Sequence, residues 1–487
     1  MDDNKTLLPR FPDDFFPVLE KYAPFPYTLS RYFFTHPFTK EFRMQRTVSL
    51  AVLFSMFLLC PLVEAQWGIR RGSQQFRPRL FRNIERQTPK IKNQAPQGDG
   101  FVSLFNGKDL TGWTVKGGDA TYSVDDGCIV GIVNDEKRNS FLCSEKEFEN
   151  FIFKAEFKFD QDFNSGIQFR SLARPEGDRQ RVYGYQCEMA ARGMTAAIYD
   201  EGRRGRWLNV VTDEFTEKTK TAYKQGEWNT LEIQCVGPSI RTWLNGQPIT
   251  DIFDTMTARG FFGLQVHAAK NLGAQVRWRN ILVKELPSTQ WIPFFKEKQF
   301  VGLEIKPAGK WEFQEDGSVH ATSTKDEKKD GMLLSKEVFD NFAVRVSFKY
   351  GQGNSGMYFR AHEIDKPHWV CGFQCEIEGK VGGNHATCGL WEVGGGPSKG
   401  RGWVFKPAEE NSKNFKVDAW NDISTVAVGD RIITNLNGSQ VVDFVDPDCL
   451  KDGKTALQLH GGSDMEYWFK DYEIMPLSKE MVDLITR

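Results

Sequence analysis

The chain has 487 residues, of which 40% are apolar and 26% are charged, and its formal net charge at pH 7 is -1. This length is ample for two domains of ordinary size, and the composition is typical of a soluble globular protein. The balanced charge argues against a protein that binds nucleic acid through a basic surface. The abundance of Phe (39) and Gly (44) suits strands joined by glycine-bearing turns better than helices.

The first apolar segment has the pattern of an export signal. Arg46 precedes an apolar run over 48–63, which leads into the small-residue cleavage pattern VEA at 63–65. The run is shorter than the ~20 apolar residues of a membrane span, and Pro61 interrupts it. The pattern therefore favours a cleaved signal peptide.

Residues 1–65 are accordingly interpreted as a presequence. We assign the signal peptide to 44–65 and attribute 1–43 to a misplaced start codon upstream of Met44. The alternative is a cytoplasmic extension that precedes a membrane anchor. The first interpretation predicts a periplasmic or extracellular protein that has no stable membrane span after signal cleavage.

Residues 66–98 carry eight Arg and Lys side chains against the single acid Glu85, together with three prolines. This composition predicts a basic disordered linker. The segment is either a plain solvated tether or a contact to an acidic polymer or envelope surface.

The rest of the chain contains one pattern twice. Residues 148–170 read FENFIFKAEFKFDQDFNSGIQFR, and residues 339–360 read FDNFAVRVSFKYGQGNSGMYFR. The pairs YQCE and FQCE, LNG and LNG, and LQVH and LQLH follow in the same order, at an offset of about 190 residues. A period this long is too large for a solenoid repeat. It predicts two tandem domains of one fold, over 99–286 and 297–478.

Each copy consists of short alternating runs separated by turn signals such as Asn106-Gly107 and Asn245-Gly246. This spacing is typical of an all-β sandwich or barrel. Helical signals are scarce, although SKEMVDLITR at the end of the chain predicts a terminal helical turn. Cys187 and Cys375 occupy equivalent strand positions and are predicted to be buried thiols. No Cys or His spacing typical of zinc is present, so the sequence assigns no metal.

Strand alternation places a set of polar residues on one face, opposite the apolar residues of the same strands. In the first copy this set is Gln168, Arg170, Gln186, Glu188, Gln265 and His267, and in the second copy it is Tyr358, Arg360, Gln374, Glu376, Gln458 and His460. Amides and arginine can bind sugar hydroxyls, and a Glu–His pair can transfer protons. The set predicts a sugar site with Glu188, His267 and Arg170 as catalytic candidates. The alternative is an ordinary solvated sheet face.

The segment IYDEGRRGRW at 198–207 is a second candidate binding element. Tyr199 could stack on a sugar ring, and Asp200 and Arg203 could bind hydroxyls. The second copy has Trp391 at the equivalent place but no matching basic loop, which suggests one active copy and one binding or supporting copy. A salt-bridged surface loop is the alternative interpretation.

Together, FVSLFNGKDLTGW, NSGIQFR, GYQCE, IYDEGRRGRW and GLQVH resemble the 3-keto-disaccharide hydrolase domain family, strongly over 99–286 and more weakly over 298–476. The resemblance implies two concanavalin-like jelly-roll β-sandwiches and activity on glycosides oxidised at C3 of the sugar. Such chemistry would use Glu188 or His267 as base or acid, and Arg170 or a divalent metal at the ketone oxygen. The CEMAARGM stretch departs from the family pattern, which more often has acidic residues and a Trp there.

The leading hypothesis is an exported enzyme that hydrolyses or eliminates glycosidic bonds of 3-keto-glycosides. A non-catalytic carbohydrate-binding module and a structural envelope protein are the alternatives. The expected partner is an oligosaccharide or glycoside rather than nucleic acid. No cofactor is assigned, although a divalent metal is compatible with this chemistry. The E-x-D-x-x-E signature of jelly-roll glucanases is absent, which argues against their retaining mechanism.

We expect the mature protein purified from its host to begin near Gln66, because signal peptidase would cut after the VEA pattern. Mass spectrometry of the N-terminal peptide measures this directly. Recovery of any peptide from 1–43 would contradict both the assigned start and the export.

Overall fold

The computed structural model of the protein describes residues 98–134, 137–190, 193–365, 368–379 and 386–486. The predicted signal peptide, the extension before it and nearly all of the basic linker lie outside the described residues.

The described chain is built almost entirely from strands. Those of its first half, with one helix, are β1 (Val102–Ser103), β2 (Trp113–Gly117), β3 (Thr121–Asp125), β4 (Cys128–Ile132), β5 (Ser140–Phe148), β6 (Phe151–Phe159), β7 (Asn164–Glu176), β8 (Arg179–Ala190), β9 (Ile198–Glu201), α1 (Asp213–Ala222), β10 (Asn229–Val236), β11 (Ser239–Leu244), β12 (Gln247–Phe253), β13 (Gly260–Val266) and β14 (Gln275–Glu285).

The second half continues with the same kind of strand. Its elements are β15 (Ile292–Pro293), β16 (Phe295–Lys296), β17 (Gln299–Phe300), β18 (Leu303–Lys306), β19 (Lys310–Phe313), β20 (Val319–Ser323), β21 (Gly331–Ser335), β22 (Phe342–Gln352), β23 (Asn354–Glu363), β24 (Val370–Glu378), β25 (Leu390–Val393), β26 (Gly402–Phe405), a 3-10 helix (Glu409–Asn414), β27 (Asn421–Val428), β28 (Arg431–Leu436), β29 (Ser439–Val445), β30 (Lys454–Leu459), β31 (Met465–Pro476) and α2 (Lys479–Thr486).

Each half is a sandwich of two antiparallel sheets. In the first sandwich the front sheet has the order β2-β5-β13-β7-β8-β9, and the back sheet has the order β12-β11-β10-β6-β14-β4-β3. In the second sandwich the front sheet is β18-β21-β30-β23-β24-β25-β26 and the back sheet is β19-β20-β31-β22-β27-β28-β29. The predicted fold, two tandem jelly-roll β-sandwiches, is confirmed.

A separate apolar core fills each sandwich, and the strand alternation predicted which side chains enter it. In the first sandwich Ile167, Phe169 and Cys187 are buried in the core, and in the second Met357 and Cys375 occupy the equivalent places. The eight cysteines of the described residues are all free and buried. The prediction of buried thiols at the two equivalent cysteines is therefore confirmed.

Helix α1 is the element that the sequence did not predict. The Thr212 side chain caps its first turn by accepting a hydrogen bond from the backbone N–H of Phe215, and Asp213 and Glu214 favour the positive end of the helix dipole. Only Thr219 and Ala222 of this helix are buried. The helix was not predicted because its sequence lacks a clear apolar stripe. The predicted helical turn at the chain end is present as α2, and no helix in the described residues is long and apolar enough to cross a membrane.

The two sandwiches meet through an apolar cluster that includes side chains from both back sheets and from α2. Its buried members are Val236, Phe253, Ala343, Val426, Val428, Ile433, Met475, Leu477, Met481 and Ile485. Gln234 of the first sandwich donates a hydrogen bond to the Leu484 carbonyl in the last turn of α2, at 3.0 Å. Arg431 of the second sandwich binds Asp251 of the first at 2.8 Å. The C-terminal helix therefore ties the second sandwich to the first.

We expect Ile485→Ala to lower the free energy of unfolding by about 2 kcal/mol, because it removes buried methyl groups from this cluster. Lys479→Ala is the matched control, since the Lys479 side chain on the same helix is 88% exposed and its substitution should change stability by less than about 0.5 kcal/mol. Urea unfolding of both variants measures the difference. Equal stabilities of the two variants would show that α2 does not stabilise the pair of sandwiches.

Candidate functional site

The repeated Asn-Ser-Gly motif begins β7 and β23, and each of its residues supports the polar set on the front sheet. In the first sandwich Asn164 donates to Glu188 at 2.6 Å, and Ser165 donates to the Gln265 carbonyl at 2.6 Å. A β-carbon at Gly166 would lie 2.6 Å from side-chain carbons of Gln186, so glycine leaves the space that this glutamine occupies.

The second sandwich repeats these contacts. Asn354 donates to Glu376, and Ser355 donates to the Gln458 carbonyl at 2.6 Å. A β-carbon at Gly356 would lie 2.2 Å from the Gln374 amide nitrogen. The motif therefore recurs because it positions one carboxyl and two glutamines in each copy.

The front sheet of the first sandwich carries a hydrogen-bonded row of polar side chains. Gln168 donates to Gln186 at 2.8 Å, and Gln186 donates to Glu188 at 2.8 Å. Among the residues that the structure describes, neither side-chain polar atom of Gln265 has a hydrogen-bond partner. Glu188 is 5% exposed and Gln265 is 0% exposed. We call Gln168, Gln186, Glu188 and Gln265 the polar face of the first sandwich, and Gln374, Glu376 and Gln458 the polar face of the second. The burial of these side chains contradicts the alternative of a solvated sheet face.

The two carboxyls of the polar face share an unusual electrostatic environment. Burial raises the pKa of Glu188 to about 7, against the opposing hydrogen bonds from Gln186 and Asn164. Burial also raises the pKa of Glu376 to about 7, against the hydrogen bond from Asn354. Each carboxyl therefore changes its charge near neutral pH, which is the property of an efficient general acid or base.

The predicted placement of Arg170 and Arg360 on the polar face is wrong. Both residues have a left-handed backbone, with φ of 45° and 47°, at a β-bulge that ends the strict alternation. Arg170 donates to the Glu149 carbonyl at 2.7 Å, the Gly237 carbonyl at 2.8 Å and Asn150 at 2.9 Å. Its guanidinium therefore ties loops together instead of facing a substrate.

Arg360 forms the matching contacts in the second sandwich. It donates to the carbonyls of Asp340 at 3.0 Å and Gly429 at 2.8 Å, and to the Cys449 sulfur at 3.2 Å. The two arginines are thus structural equivalents, and the structure does not bring either one to the polar face.

The predicted exposure of Asp200 and Arg203 to a ligand is also wrong. Asp200 is fully buried and binds both Arg203 and Arg204. Arg204 also binds Asp254, at 2.7 Å. These charges hold the loop after β9 and leave the Asp200 carboxylate no free face for a hydroxyl.

The second sandwich keeps this ion cluster, contrary to the prediction that its basic loop is lost. Arg401 binds Glu392 and, at 2.6 Å, Asp446. Glu392 and Asp446 thus bind Arg401 as Asp200 and Asp254 bind Arg204. The glycine-rich stretch before Arg401 shifts its position, which hid the match in the sequence.

An aromatic pair lies beside the polar face in each copy. Tyr199 is opposite Gln186 in the sheet register, and its ring meets Trp207 edge-on with centroids 5.1 Å apart. Trp391 is opposite Gln374, and its ring meets Trp403 with centroids 5.3 Å apart. Directly opposed residues point to the same side of a sheet, so Tyr199 and Trp391 lie on the same side of their sheets as the polar face.

A cleft of about 670 Å³ opens over the polar face of the second sandwich. Its lining includes Gln374, Glu376, Trp391, Trp403, Gln458, His368 and His460. The rings of His368 and His460 have centroids 6.1 Å apart. The cleft therefore combines amides, aromatic rings, imidazoles and carboxyls, which suits a polar ring such as a sugar.

The first sandwich has a smaller cleft of about 300 Å³, lined in part by Asn164 and His267. His267 contacts the Ala268 carbonyl through Nδ1 at 2.7 Å, and His460 contacts the Gly461 carbonyl in the same way at 2.9 Å. Both histidines thus present Nε2 as the nitrogen that a ligand could reach.

Sequence reasoning missed three residues that lie near the polar side chains of the front sheets. Glu201 lies two residues after Tyr199 on β9, so strand alternation could have placed it on the same side; burial raises its pKa. Asp330 and His368 bind each other at 2.9 Å. No sequence signal joins those two, because they are distant in the chain and lie outside the motifs shared by the two copies.

Among the described residues, no group of three or more His, Cys, Asp or Glu side chains is arranged to hold a metal ion. The donor set that the structure describes therefore does not fit the divalent metal considered for the ketone oxygen, and we derive no step through a metal.

A family model for the 3-keto-alpha-glucoside-1,2-lyase-like domain matches residues 100–284 and again residues 290–475. The resemblance identified from the sequence motifs is confirmed in both copies. The comparison with curated proteins gives no match.

Solved structures are similar to parts of the chain. A candidate glycosyl hydrolase of Parabacteroides distasonis is 21% identical, with a TM-score of 0.28, covering 39% of this chain and 94% of that one. A carbohydrate-binding module of Bacillus subtilis is 17% identical, with a TM-score of 0.29, covering 38% of this chain and 100% of that one. The Emp47p carbohydrate recognition domain is 12% identical, with a TM-score of 0.26, covering 39% and 99% of the two chains.

We expect Glu376→Gln to remove part of the pH dependence of stability. The folded pKa of Glu376, about 7, lies above its ordinary value of 4.5, so the folded state binds more protons between these values. The wild type therefore loses stability as the pH rises through this window, by roughly 3 kcal/mol from this group, and the variant has no such titration. Between pH 5 and pH 8, the free energy of unfolding of the wild type, measured with urea, should decrease by roughly 2–3 kcal/mol relative to that of the variant. A constant gap between the two proteins would mean that Glu376 is not buried as a neutral carboxyl.

Proposed function

We propose, since the chain belongs to the 3-keto-alpha-glucoside-1,2-lyase-like domain family, that it is an exported enzyme that cleaves glycosidic bonds of glycosides oxidised at C3 of the sugar. Membership of the family supports a carbohydrate-related function in general. The keto-sugar reaction and the export are our proposals.

The proposed reaction needs one base and one acid. A ketone at C3 acidifies the proton on C2, so a carboxylate can remove that proton and the electron pair forms a C1–C2 double bond. The bond from C1 to the leaving oxygen then breaks, and a proton on that oxygen completes the elimination. Addition of water to the resulting enone gives the products of a net hydrolysis.

The observation that carries the proposal is the buried carboxyl of Glu376, whose pKa is about 7, on the floor of the second-sandwich cleft. A base with this pKa is partly ionised at neutral pH and still accepts a proton strongly. We assign Glu376 as the base that removes the C2 proton. Burial raises the pKa of Glu188 to about 7 as well, but Glu188 is not among the residues that line the first-sandwich cleft.

The polar face and the aromatic pair supply the means to bind the sugar. Gln374 and Gln458 form a hydrogen bond with each other at 3.1 Å and still have amide atoms that can bind ring hydroxyls. Trp391 and Trp403 offer apolar ring faces, against which the C–H groups of a sugar can pack.

A non-catalytic carbohydrate-binding module is the second candidate function. It is favoured by one observation, the recurrence of an aromatic pair beside buried amides in both sandwiches. Aromatic rings and amides are sufficient to bind a sugar, whereas a titrating carboxyl in the cleft is needed only for chemistry.

We expect purified 66–487 to release the aglycone from 3-keto-glucosides and not from the unoxidised parent glucosides, because only the keto forms have an acidic C2 proton. Glu376→Gln should lower kcat by at least about 100-fold, because the amide cannot accept that proton. Glu409→Gln, at an exposed position on the 3-10 helix, is the control and should retain full activity. Mass spectrometry of the products measures the release.

Sugar binding by the wild type without turnover of any keto-glucoside would support the binding module instead. Release from keto and unoxidised substrates alike would rule out the elimination.

A further inference from the structure

The second-sandwich cleft contains an acid–base pair that the proposed role of Glu376 does not use. His368 Nδ1 contacts Asp330 Oδ2 at 2.9 Å, and His368 lines the cleft together with Glu376 and His460. Because Asp330 occupies Nδ1, Nε2 is the nitrogen that a ligand in the cleft can reach. Asp330 is only 1% exposed, so its carboxylate has a fixed position beside His368.

Asp330 is fixed by the same part of the fold as the polar face. Its Oδ2 atom accepts a hydrogen bond from Gln458 at 2.7 Å, and its Oδ1 atom accepts one from the Gly461 backbone at 2.7 Å. The histidine is therefore oriented by a carboxylate that is itself tied to the floor of the cleft. This arrangement matches that of a general acid whose orientation is set by a second group.

The first sandwich lacks both members of the pair. Asn139 stands where the second copy has Asp330, and its Oδ1 accepts a hydrogen bond from the Ala268 backbone at 2.9 Å, as Asp330 does from Gly461. Gln180 stands four residues before Gly184, as His368 stands four residues before the equivalent Gly372. The two clefts thus differ in chemistry although their supporting contacts are the same.

We propose, on the basis of the function proposed above, that His368 is the general acid that protonates the leaving oxygen, that Asp330 is its positioning residue, and that cleavage is confined to the second sandwich.

The step balances with groups that the cleft contains. The Glu376 carboxylate takes the C2 proton, the electron pair of that C–H bond forms the C1–C2 double bond, and the C1–O bond breaks. The leaving oxygen keeps the electron pair of the C1–O bond and takes a proton from His368 Nε2. Glu376 ends protonated and His368 ends neutral, and one proton returned through water restores the starting state.

The charges around His368 favour its cationic form. The hydrogen bond with Asp330 raises the pKa of His368. Burial alone would raise the pKa of Asp330, but its hydrogen bonds with His368, Gly461 and Gln458 outweigh burial, and the pKa is lowered. The other titratable side chains that line the cleft are Tyr358, Glu376, Glu392 and His460. The hydrogen bond with Asp330 therefore favours the cationic imidazole that a general acid requires.

The first sandwich also differs from the second at a buried amide of the front sheet. Its Gln265 amide is buried, and neither of its polar atoms has a partner among the described residues. In the second copy the equivalent Gln458 is bound to Asp330 and Gln374. A buried amide without a partner costs stability, and the second copy avoids this cost because Asp330 binds Gln458.

The test uses two keto-glucosides with different leaving groups. 4-Nitrophenolate departs without a proton, whereas an alkoxide needs one. We expect His368→Gln to lower kcat on the alkyl substrate at least about 100-fold and to change kcat on the 4-nitrophenyl substrate by less than about 3-fold, with little change in KM. His320→Gln, on the back sheet and bound to Glu466, is the matched control and should leave both rates unchanged.

Asp330→Asn provides a second readout that a merely structural role would not produce. The activity of the wild type should fall as the pH rises through the pKa of His368. Because Asp330 raises that pKa, its neutral variant should shift the falling limb of the pH–rate profile to lower pH.

The outcomes separate the two proposals. If the wild type cleaves keto-glucosides but His368→Gln loses activity equally on both leaving groups, or on neither, the role of His368 is wrong and the proposed function stands. If the wild type cleaves neither substrate, both proposals are wrong. Full activity of Glu376→Gln would place the chemistry outside the second sandwich and would overturn the confinement of cleavage to it.

Discussion

The hydrogen bond from the first asparagine of the Asn-Ser-Gly motif to a buried glutamate determines the rest of the polar face in both sandwiches. Asn164 holds Glu188 and Asn354 holds Glu376, on strands whose opposite side packs in the core. A carboxyl buried without a charged partner is costly unless it is hydrogen-bonded or neutral. The amide network makes that burial tolerable. Burial raises the pKa of each carboxyl to about 7 against the amide hydrogen bonds, and the proposed chemistry depends on this pKa.

The contacts between the two sandwiches lie away from the two polar faces. The apolar cluster between the back sheets, the docking of α2 and the contact of Arg431 with Asp251 all lie behind the front sheets. These contacts come from the back sheets and α2, and Arg204 in the loop after β9 adds a hydrogen bond to the Gly438 carbonyl of the second sandwich at 2.9 Å. Each cleft is built within one sandwich, so substitutions in one copy can change its chemistry without disturbing the other.

The sequence was sufficient for the fold and for part of the site, because both follow from strand period. Alternation placed Gln186, Glu188 and their equivalents correctly. It failed at Arg170 and Arg360, because a β-bulge and a left-handed residue reverse the direction of the side chain. The alternation of apolar and polar residues along a strand does not reveal such a local change in the backbone. Asp330 and His368 were not predictable for another reason: their contact joins a strand start to a distant hairpin, and only the folded chain shows it.

The two copies share the contacts that hold the fold but differ in the residues proposed to take part in the reaction. The Asn-Ser-Gly contacts, the buried arginines and the ion clusters around Arg204 and Arg401 are present in both sandwiches. These contacts hold backbone positions, so a change in any of them would affect the whole front sheet. The pair of Asp330 and His368, by contrast, is present only in the second sandwich, because Asn139 and Gln180 stand at the equivalent positions of the first. A duplicated domain can therefore keep one copy for binding and use the other for reaction while both retain the same scaffold.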